Sequence, residues 1–300
     1  MSGPPFNLEQ LRLVSLIDRH RSFSRAAEAM GITQSAVSQQ VRTIEQGLRR
    51  RLFQRGAGGL TPTADGESYL VYARAMLAIG EDAKRHFSLS PGEVEIRLGL
   101  TEDFARTALP TVLALFSHDH PAFAFNVECG LSTMLFNGME EGRYDVVVAK
   151  RPGSAPRGER LWSEPLAWFG REEPALPLPD PIPLAVIPAP SVSREAMLDA
   201  LRGAGRSWRV AFQSLSFGAI EAVVQAGIGV SAFGQHFCAP GLVEIGEAAG
   251  LPPLRPVDIC LERSRRATGA AMDAFCALLR QAALLTTGQN ASVLAAGGVG

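Results

Sequence analysis

The stretch from residue 22 to residue 45, SFSRAAEAMGITQSAVSQQVRTIE, governs how the rest of the chain is interpreted. Ser22 or Ser24 can cap a short helix that runs through Met30. Gly31 can then adopt the left-handed conformation that ends a helix. Thr33 is placed to cap a second helix directly afterwards. The pattern therefore predicts two short helices joined by a glycine turn.

The second of these helices has two distinct faces. At about 100° per residue, its apolar side chains fall on an arc of roughly 60°; they are Val37, Val41, Ile44 and Leu48. A separate arc of roughly 140° carries only polar side chains. We call it the groove face, and it consists of Gln34, Ser35, Ser38, Gln39 and Arg42. Amides, hydroxyls and a guanidinium can pair with base edges and phosphates in the major groove of DNA.

An ordinary solvated face is the alternative interpretation of these polar residues. Ala26 and Ala27 leave room for a second helix to pack closely, which favours a helix-turn-helix. A preceding helix is predicted from Asn7 as its N-cap, with Leu8, Leu11, Ile17 and either Leu13 or Val14 on its buried side. The three helices together form a small DNA-binding unit.

A basic segment follows, with Arg49, Arg50, Arg51 and Arg55 around a glycine-rich run. This composition is typical of a wing that contacts the sugar-phosphate backbone. Thr63 is predicted to cap the next helix. We predict DNA contacts for Ser22, Ser24, Arg25, Thr33, Gln34, Ser35, Ser38, Gln39, Arg42, Arg51 and Arg55.

That next helix is long, covering about residues 64 to 88. A spacing of alternately four and three residues predicts the seam of a short coiled coil, formed by Tyr69, Ala73, Met76, Gly80, Ala83 and Phe87. Packing against its own domain is the alternative. A dimer through this helix would place two groove faces on successive turns of the same DNA.

Composition agrees with a two-part protein. With 46% hydrophobic and 20% charged residues among 300, the chain is globular and long enough for two or three compact units. Residues 1–87 carry a net charge of +4 and residues 88–300 carry −5, so the first part suits a polyanion. The sequence has no run typical of a membrane span or signal peptide, which predicts a cytoplasmic protein without a membrane partner.

Catalytic and metal motifs are absent from the sequence. Neither a G-x-S-x-G elbow nor an H-E-x-x-H motif occurs, and the segment from His118 to His120 is predicted to end a surface helix rather than to bind metal. We therefore expect that the protein is not an enzyme, that it has no catalytic or metal-binding residues and that it uses no cofactor. The cysteines are Cys129, Cys238, Cys260 and Cys276; buried reduced thiols are expected, and a redox switch is the alternative.

Beyond residue 93 the pattern changes to alternating strands and helices. Strands are predicted at 94–100, 123–128, 144–149, 183–187, 209–212 and 229–233. Helices are predicted within 105–121, at 132–141, from Ser193 and at 217–226. This order implies parallel α/β sheets in two lobes, connected by crossings at 161–169 and 256–264. The last residues, from Thr286, are predicted to be a loose tail.

Two lobes leave a cleft between them, which we call the effector cleft. Ligands of open α/β sheets bind beyond the strand ends. We predict that the cleft is lined by residues that follow a strand and open a helix, in segments 101–104, 132–133, 189–193 and 213–216. The candidate effector contacts among them are Thr101, Glu102, Asp103, Phe104, Ser132, Thr133, Pro190, Ser191, Ser214 and Ser216. Each serine or threonine could instead be an ordinary cap. Helix N-termini attract carboxylates, but Glu102 and Asp103 would either occupy that position themselves or repel a carboxylate ligand. This predicts a neutral or cationic small effector, or none.

The chain resembles the LysR-type transcriptional regulators. The resemblance is carried by AAEAMGITQSAVSQQVRTIE, by Leu52, Phe53 and Arg55, by the Thr63 to Gly66 turn, and by Tyr72 to Arg74. It covers nearly the whole chain, and the segments LGLTEDFARTALP, PLAVIPAP, SWRVAFQS and GLPPLRP look most like the LrhA-like branch. The family usually has glycine where Arg49 stands, so either another residue ends the second helix or that helix runs on and shifts the wing.

The resemblance implies a winged helix-turn-helix at 1–63, a dimerisation linker helix at 64–90 and an effector domain at 91–285. The effector domain would be built like a type 2 periplasmic binding protein, with lobe 1 at about 91–162 and 257–285 and lobe 2 at about 163–256. A flexible tail would follow at 286–300. Implied partners are double-stranded DNA, further copies in a dimer or tetramer, a small-molecule effector and RNA polymerase. The competing function is a two-lobed ligand-binding protein or enzyme whose N-terminal helices only mediate assembly.

Overall fold

A computed structural model describes residues 6–56, 59–88, 94–151, 158–174, 176–237 and 241–286. The chain divides into two compact units. The first comprises Met1–Ser90 with Glu140–Arg143, and the second comprises Pro91–Met139 with Tyr144–Gly300. Cys238 and residues 287–300 of the expected tail lie outside the described residues. Thr286, where the tail was predicted to begin, is the last residue of a helix.

The first unit holds four helices and a two-stranded antiparallel hairpin. In chain order they are α1 (Leu8–His20), α2 (Phe23–Met30), α3 (Gln34–Leu48), β1 (Phe53–Gly56), β2 (Gly59–Pro62) and α4 (Ala64–Ser88). This is a helix-turn-helix followed by a wing and a long linker helix.

Side-chain caps begin the first three helices as predicted. Asn7, Ser22 and Thr33 each accept a hydrogen bond from the backbone N–H three residues on, at 2.8, 3.4 and 3.2 Å. Gly31 ends α2 at φ 66°, which confirms the glycine turn. Leu8 is the exception among the predicted core residues, because its side chain is exposed.

Arg49 itself ends α3. It adopts φ 53° and ψ 35°, and its N–H donates to Gln46 and Glu45 carbonyls. An arginine thus occupies the left-handed position where the family usually has glycine, so α3 does not run on. Left-handed backbone is unfavourable for a residue with a Cβ, and the local hydrogen bonds hold it there.

The core of the first unit joins all four helices. Leu11, Val14 and Ile17 of α1 pack with Val37, Val41 and Ile44 of α3 and with Tyr69, Leu70 and Ala73 of α4. Tyr69 and Ala73 are therefore buried within their own unit, and the prediction that they form an intermolecular seam was wrong. Met76 of the predicted seam is exposed, and the other exposed large apolar side chains described on α4 are Val71, Tyr72 and Ile79. The side chain of Phe87 lies outside the described residues.

The second unit contains two α/β lobes. Lobe 1 has a five-stranded sheet in the order β4-β3-β5-β12-β6. Its elements are β3 (Val94–Leu100), α5 (Glu102–Thr107), α6 (Leu109–Asp119), β4 (Phe123–Cys129), α7 (Ser132–Glu140), β5 (Val146–Lys150), β6 (Glu159–Glu164), β12 (Val257–Arg263) and α10 (Ala270–Thr286).

Lobe 2 contains a three-stranded sheet, β10-β7-β11, and a parallel pair, β8-β9, connected by a bridge between Leu184 and Val230. Its elements are β7 (Leu166–Arg171), β8 (Ile182–Val186), α8 (Val192–Gly203), β9 (Trp208–Gln213), α9 (Phe217–Gln225), β10 (Ser231–Gly234), a short 3-10 helix (Gln235–Phe237) and β11 (Leu242–Glu244).

The predicted parallel pairing is confirmed for β3 with β4 and β5, and for β8 with β9. Two details differ from prediction. The single helix expected within 105–121 is two helices that break at Ala108, because Pro110 lacks an N–H and clashes with the preceding turn. The crossing segments are antiparallel members of the sheets rather than plain connections.

Two neighbouring strands carry the chain between the lobes. Strand β6 ends at Glu164, β12 begins at Val257, and these two residues are paired in the ladder. The fully buried Glu164 carboxylate accepts hydrogen bonds from the Trp162 indole at 2.7 Å and from the His236 backbone at 3.0 Å. It therefore contacts one residue from each lobe at the point of crossing.

Candidate functional site

The groove face is exposed in the first unit. Gln34, Ser35, Gln39 and Arg42 are exposed and Ser38 is half-buried, whereas Val37, Val41 and Ile44 on the other side of α3 are buried. The helix thus separates its polar and apolar residues as its 3.6-residue period dictates. Hydrophobic packing fixes α3 and leaves the polar side chains available to a partner.

Neighbouring polar groups on this face are hydrogen-bonded to one another. The Gln34 amide donates to the Ser38 hydroxyl at 2.9 Å, and the Thr33 and Ser35 hydroxyls lie 2.9 Å apart. These pairs keep the side chains ordered at the start of α3. Their chemistry is that of exchangeable donors and acceptors, which can be re-paired with base edges.

A surface cavity of about 310 Å³ lies beside the groove face. It is lined by Arg21, Ser22, Phe23, Ser24, Gln34, Arg55, Gly59 and Leu60. Four predicted contact residues from the start of α2, the start of α3 and the wing therefore meet at one place. Arg25 and Arg51 are exposed but do not line this cavity.

The effector cleft of the second unit contains a cavity of about 190 Å³. Five of the ten predicted residues line it: Thr101, Glu102, Asp103, Ser132 and Ser191. Ser132 is buried at the start of α7, and the hydroxyl of Ser191 also caps α8 by accepting from the Arg194 backbone at 3.4 Å. Residues at the ends of strands thus form one rim of the cavity.

The other five predicted residues do not line the cavity. Phe104 is fully buried in the core of lobe 1 against Trp162, because it lies on the inner side of α5. Ser216 is the cap of α9, accepting from the Ala219 backbone at 3.3 Å. Thr133, Pro190 and Ser214 are adjacent in sequence to the lining but not part of it.

Sequence reasoning missed several lining residues, including Glu128, Cys129, Met134, Lys150, Ile187 and Phe217. Lys150 is the clearest omission. It is the last residue of the otherwise apolar strand β5, so a charge at the end of a buried strand was the available signal. The apolar members come from the residue after β8 and from the faces of α7 and α9, where periodicity does not indicate which side faces a cleft.

Asp103 and Lys150 form a buried ion pair at the base of the cavity. Asp103 is 2% exposed and Lys150 is 8% exposed. Burial raises the pKa of Asp103, but the Lys150 ammonium and hydrogen bonds outweigh that effect, so this pKa lies below its ordinary value. The Lys150 ammonium therefore offsets the Asp103 charge, which the sequence did not predict, and the repulsion of an anion by the two acids stays a prediction.

Glu102 has a different partner. Its carboxylate accepts hydrogen bonds from the backbone N–H groups of Phe217 at 2.9 Å and Gly218 at 3.4 Å. The first two amides of α9 are therefore occupied by an acid from lobe 1. Of the two predicted possibilities, that an acid occupies such a position or repels a ligand from it, Glu102 fits the first.

Three cysteines fall within the described residues, and all are free thiols. Cys260 and Cys276 are buried as expected, but Cys129 is exposed at the end of edge strand β4 and lines the cavity. Partial burial and the nearby charges of Glu102 and Asp103 raise the pKa of the Cys129 thiol. This thiol is therefore a poor nucleophile at neutral pH.

Comparison with known families gives matches over both units. Residues 8–67 match the bacterial regulatory helix-turn-helix proteins of the lysR family, and residues 91–284 match the LysR substrate binding domain. The chain belongs to the LysR family. It is a DNA-binding transcriptional regulator with a substrate-binding domain rather than an enzyme, so the competing enzymatic interpretation is excluded.

Similar regulators extend over most of the chain. The transcriptional regulator DgdR of Burkholderia cepacia is 32% identical over 93% of this chain and 95% of that protein. PecT of Dickeya dadantii is 29% identical over 84% and 81%, respectively. Such coverage places the family assignment on the whole chain rather than on one unit.

Solved structures show the same fold. DarR of Vibrio fischeri, solved in complex with DNA, covers 91% of this chain and 98% of its own, with 16% identity and a TM-score of 0.53. The LysR family regulator VV2_1132 covers 92% and 99%, with 20% identity and a TM-score of 0.52. Among the described residues, none of the helices has the length and apolar character needed to cross a membrane.

Proposed function

We propose that this LysR-family regulator recognises its operator by inserting the groove face of α3 into the major groove. The observation that carries the proposal is the exposure of Gln34, Gln39 and Arg42 opposite a buried apolar seam. Glutamine can pair with adenine, and arginine with guanine or phosphate. Ser22, Ser24, Arg51 and Arg55 would contact the phosphate backbone around it.

Dimerisation is proposed to use the exposed apolar residues of α4. Val71, Tyr72, Met76 and Ile79 fall within one arc of roughly 140° along the helix, and each is at least 39% exposed. A second copy of the chain is the proposed partner, because two groove faces can bind one operator only if two chains are paired. Tetramers and contact with RNA polymerase remain proposals from the family resemblance.

The dimer surface is tested by replacing Ile79 with glutamate. A buried charge should break the pairing, so we expect the variant to elute as a monomer by light scattering and to lose affinity for a full operator. The Ile79→Leu variant keeps the apolar surface and should remain dimeric. A dimeric Ile79→Glu protein would contradict this placement of the interface.

A small effector in the cavity of the effector cleft is proposed to modulate DNA binding by changing lobe closure. The lining includes Glu102, Asp103 and Glu128 against one lysine, Lys150. The excess of acidic over basic lining residues favours a neutral or cationic effector over a small dianion.

We also propose that the chain belongs to the LrhA-like branch and that it is located in the cytoplasm.

The DNA contacts are tested with the double variant Gln39→Ala, Arg42→Ala. Each lost base contact should weaken binding by about 1–3 kcal/mol, or roughly 5- to 150-fold. Gln40→Ala is the matched control, since Gln40 is half-buried outside the groove face. Operators for the assay come from genome-wide mapping of bound DNA. An unchanged affinity and footprint in the double variant would contradict the proposed contacts.

A further inference from the structure

The carboxylate of Glu102 bridges the two lobes. It belongs to the first residue of α5 in lobe 1, and it accepts from the Phe217 and Gly218 amides at the start of α9 in lobe 2. The first amides of any helix lack intrahelical partners. The Ser216 hydroxyl accepts from the next amide, that of Ala219. The first three amides of α9 are therefore all satisfied, two of them by a side chain from the opposite lobe.

A second contact lies one helical turn further along both helices. Arg106 donates to Glu221 at 2.5 Å, and its guanidinium carbon lies 5.6 Å from the centre of the Phe217 ring. Glu221 is 4% exposed. Residues 102 and 106 are four apart on α5, and residues 217 and 221 are four apart on α9, so both contacts lie on facing sides of the two helices.

The Glu102 charge is matched by α9 rather than by the nearby lysine. Lys150 is engaged with Asp103 in the buried pair. The start of a helix carries a partial positive charge of roughly half an elementary unit together with free amide donors. A carboxylate held there gains both the dipole interaction and charge-assisted hydrogen bonds.

We propose that Glu102 is an internal ligand that occupies the place of an effector's acid group, holds the lobes together and excludes small carboxylates. The inference rests on the proposed function of the effector cleft. The cavity beside Glu102 is lined on its apolar side by Met134, Ile187 and Leu215. An effector that leaves Glu102 in place must therefore be compact and without a free acid group.

Removing the Glu102 carboxylate should create a site for an external one. Full-length wild type, Glu102→Ala and the exposed control Glu247→Ala are compared by thermal melting and calorimetry, with propionate and its uncharged isostere propionamide. We expect propionate to raise the melting temperature of Glu102→Ala by a few degrees, since a ligand that binds only the folded state stabilises it. Propionamide should not, and neither compound should affect the other two proteins.

A second variant tests the inference if Glu102→Ala folds poorly. Glu102→Gln keeps the shape of the side chain and loses its charge. Amide hydrogen exchange at Phe217 and Gly218 should accelerate about tenfold in this variant relative to Glu247→Ala, which follows from weaker amide protection. Equal exchange in the two variants, equal propionate binding by wild type and Glu102→Ala, or no propionate response in a folded Glu102→Ala would each overturn the inference.

The outcome is separable from that of the proposed function. Propionate rescue reports only on the start of α9, whereas effector control is read from operator affinity. If propionate rescues Glu102→Ala and operator affinity does not change with it, the internal ligand is supported and coupling between the cleft and DNA binding is contradicted.

Discussion

The groove face and the effector cleft use polar side chains in opposite ways. On α3, Gln34, Gln39 and Arg42 are exposed and are held in place by the apolar residues behind them. In the cleft, Asp103 and Lys150 are buried and paired, and Glu102 reaches the opposite lobe. The first surface leaves its hydrogen-bonding capacity for a partner molecule, whereas the second satisfies most of it internally. Substitutions should therefore affect binding in the first region and stability in the second.

The largest effect is expected from Asp103→Asn. Removing one charge leaves Lys150 buried without its counterion, which should lower the free energy of unfolding by about 3–5 kcal/mol. The matched control is Asp199→Asn, which removes exposed pairs with Arg202 and Arg255 and should lower it by at most about 1 kcal/mol. Urea denaturation of the full chain measures both, and similar values would break the contrast between the buried cleft and an exposed surface.

A smaller loss is expected from Gly66→Ala in the first unit. A Cβ at Gly66 would lie 2.0 Å from the Leu52 carbonyl oxygen, a backbone atom, so the loss should be about 1–3 kcal/mol. At Gly80 in the same helix the nearest atom would be 3.6 Å away, so Gly80→Ala should stabilise by up to about 1 kcal/mol. Thermal melting distinguishes the two; equal shifts would show that backbone packing does not limit this unit.

Acid should weaken the second unit by removing the charge of Asp103. The folded-state pKa of Asp103 is lowered below its ordinary value of 3.8. Its stabilising effect is therefore complete above that value and is lost as the pH falls through the lower folded-state pKa. The free energy of unfolding, measured from pH 5 to pH 2, should depend less on pH in Asp103→Asn than in the wild type. An unchanged acid profile would show that other groups govern acid unfolding.

The smallest effect, and an opposite one, is expected from Arg49→Gly. Glycine adopts the left-handed conformation of residue 49 without steric cost, so the variant should gain about 0.5–1 kcal/mol. Gly31→Ala reverses the change at the equivalent position of α2 and should lose a similar amount. Melting temperatures of the two variants that move in the same direction would contradict this account.

The sequence predicted most of the first unit because its determinants are local. Asn7, Ser22 and Thr33 act within three residues of their own position, and α3 is patterned by its own period. The α4 seam was misplaced because Tyr69 and Ala73 pack against α1 and α3. A heptad count within α4 contains no information about these two helices.

The cleft was predicted less completely because its partners are distant in sequence. Glu102 contacts residue 217, and Asp103 contacts Lys150. The strand-end rule located Thr101, Ser132 and Ser191, but it could not assign Phe104 to the core or Lys150 to the cavity. Side-chain direction at a helix start depends on packing that no local pattern contains.

The pairing of Glu164 with Val257 limits how the lobes can move. Both connections are adjacent strands of one ladder, so bending about a single axis near these residues disturbs the fewest hydrogen bonds. Sliding of one lobe along the other would strain both connections and separate the Glu164 carboxylate from His236. The second unit should therefore open and close about one hinge, so that the loss of a single contact between the lobes, far from the hinge, alters the angle between them.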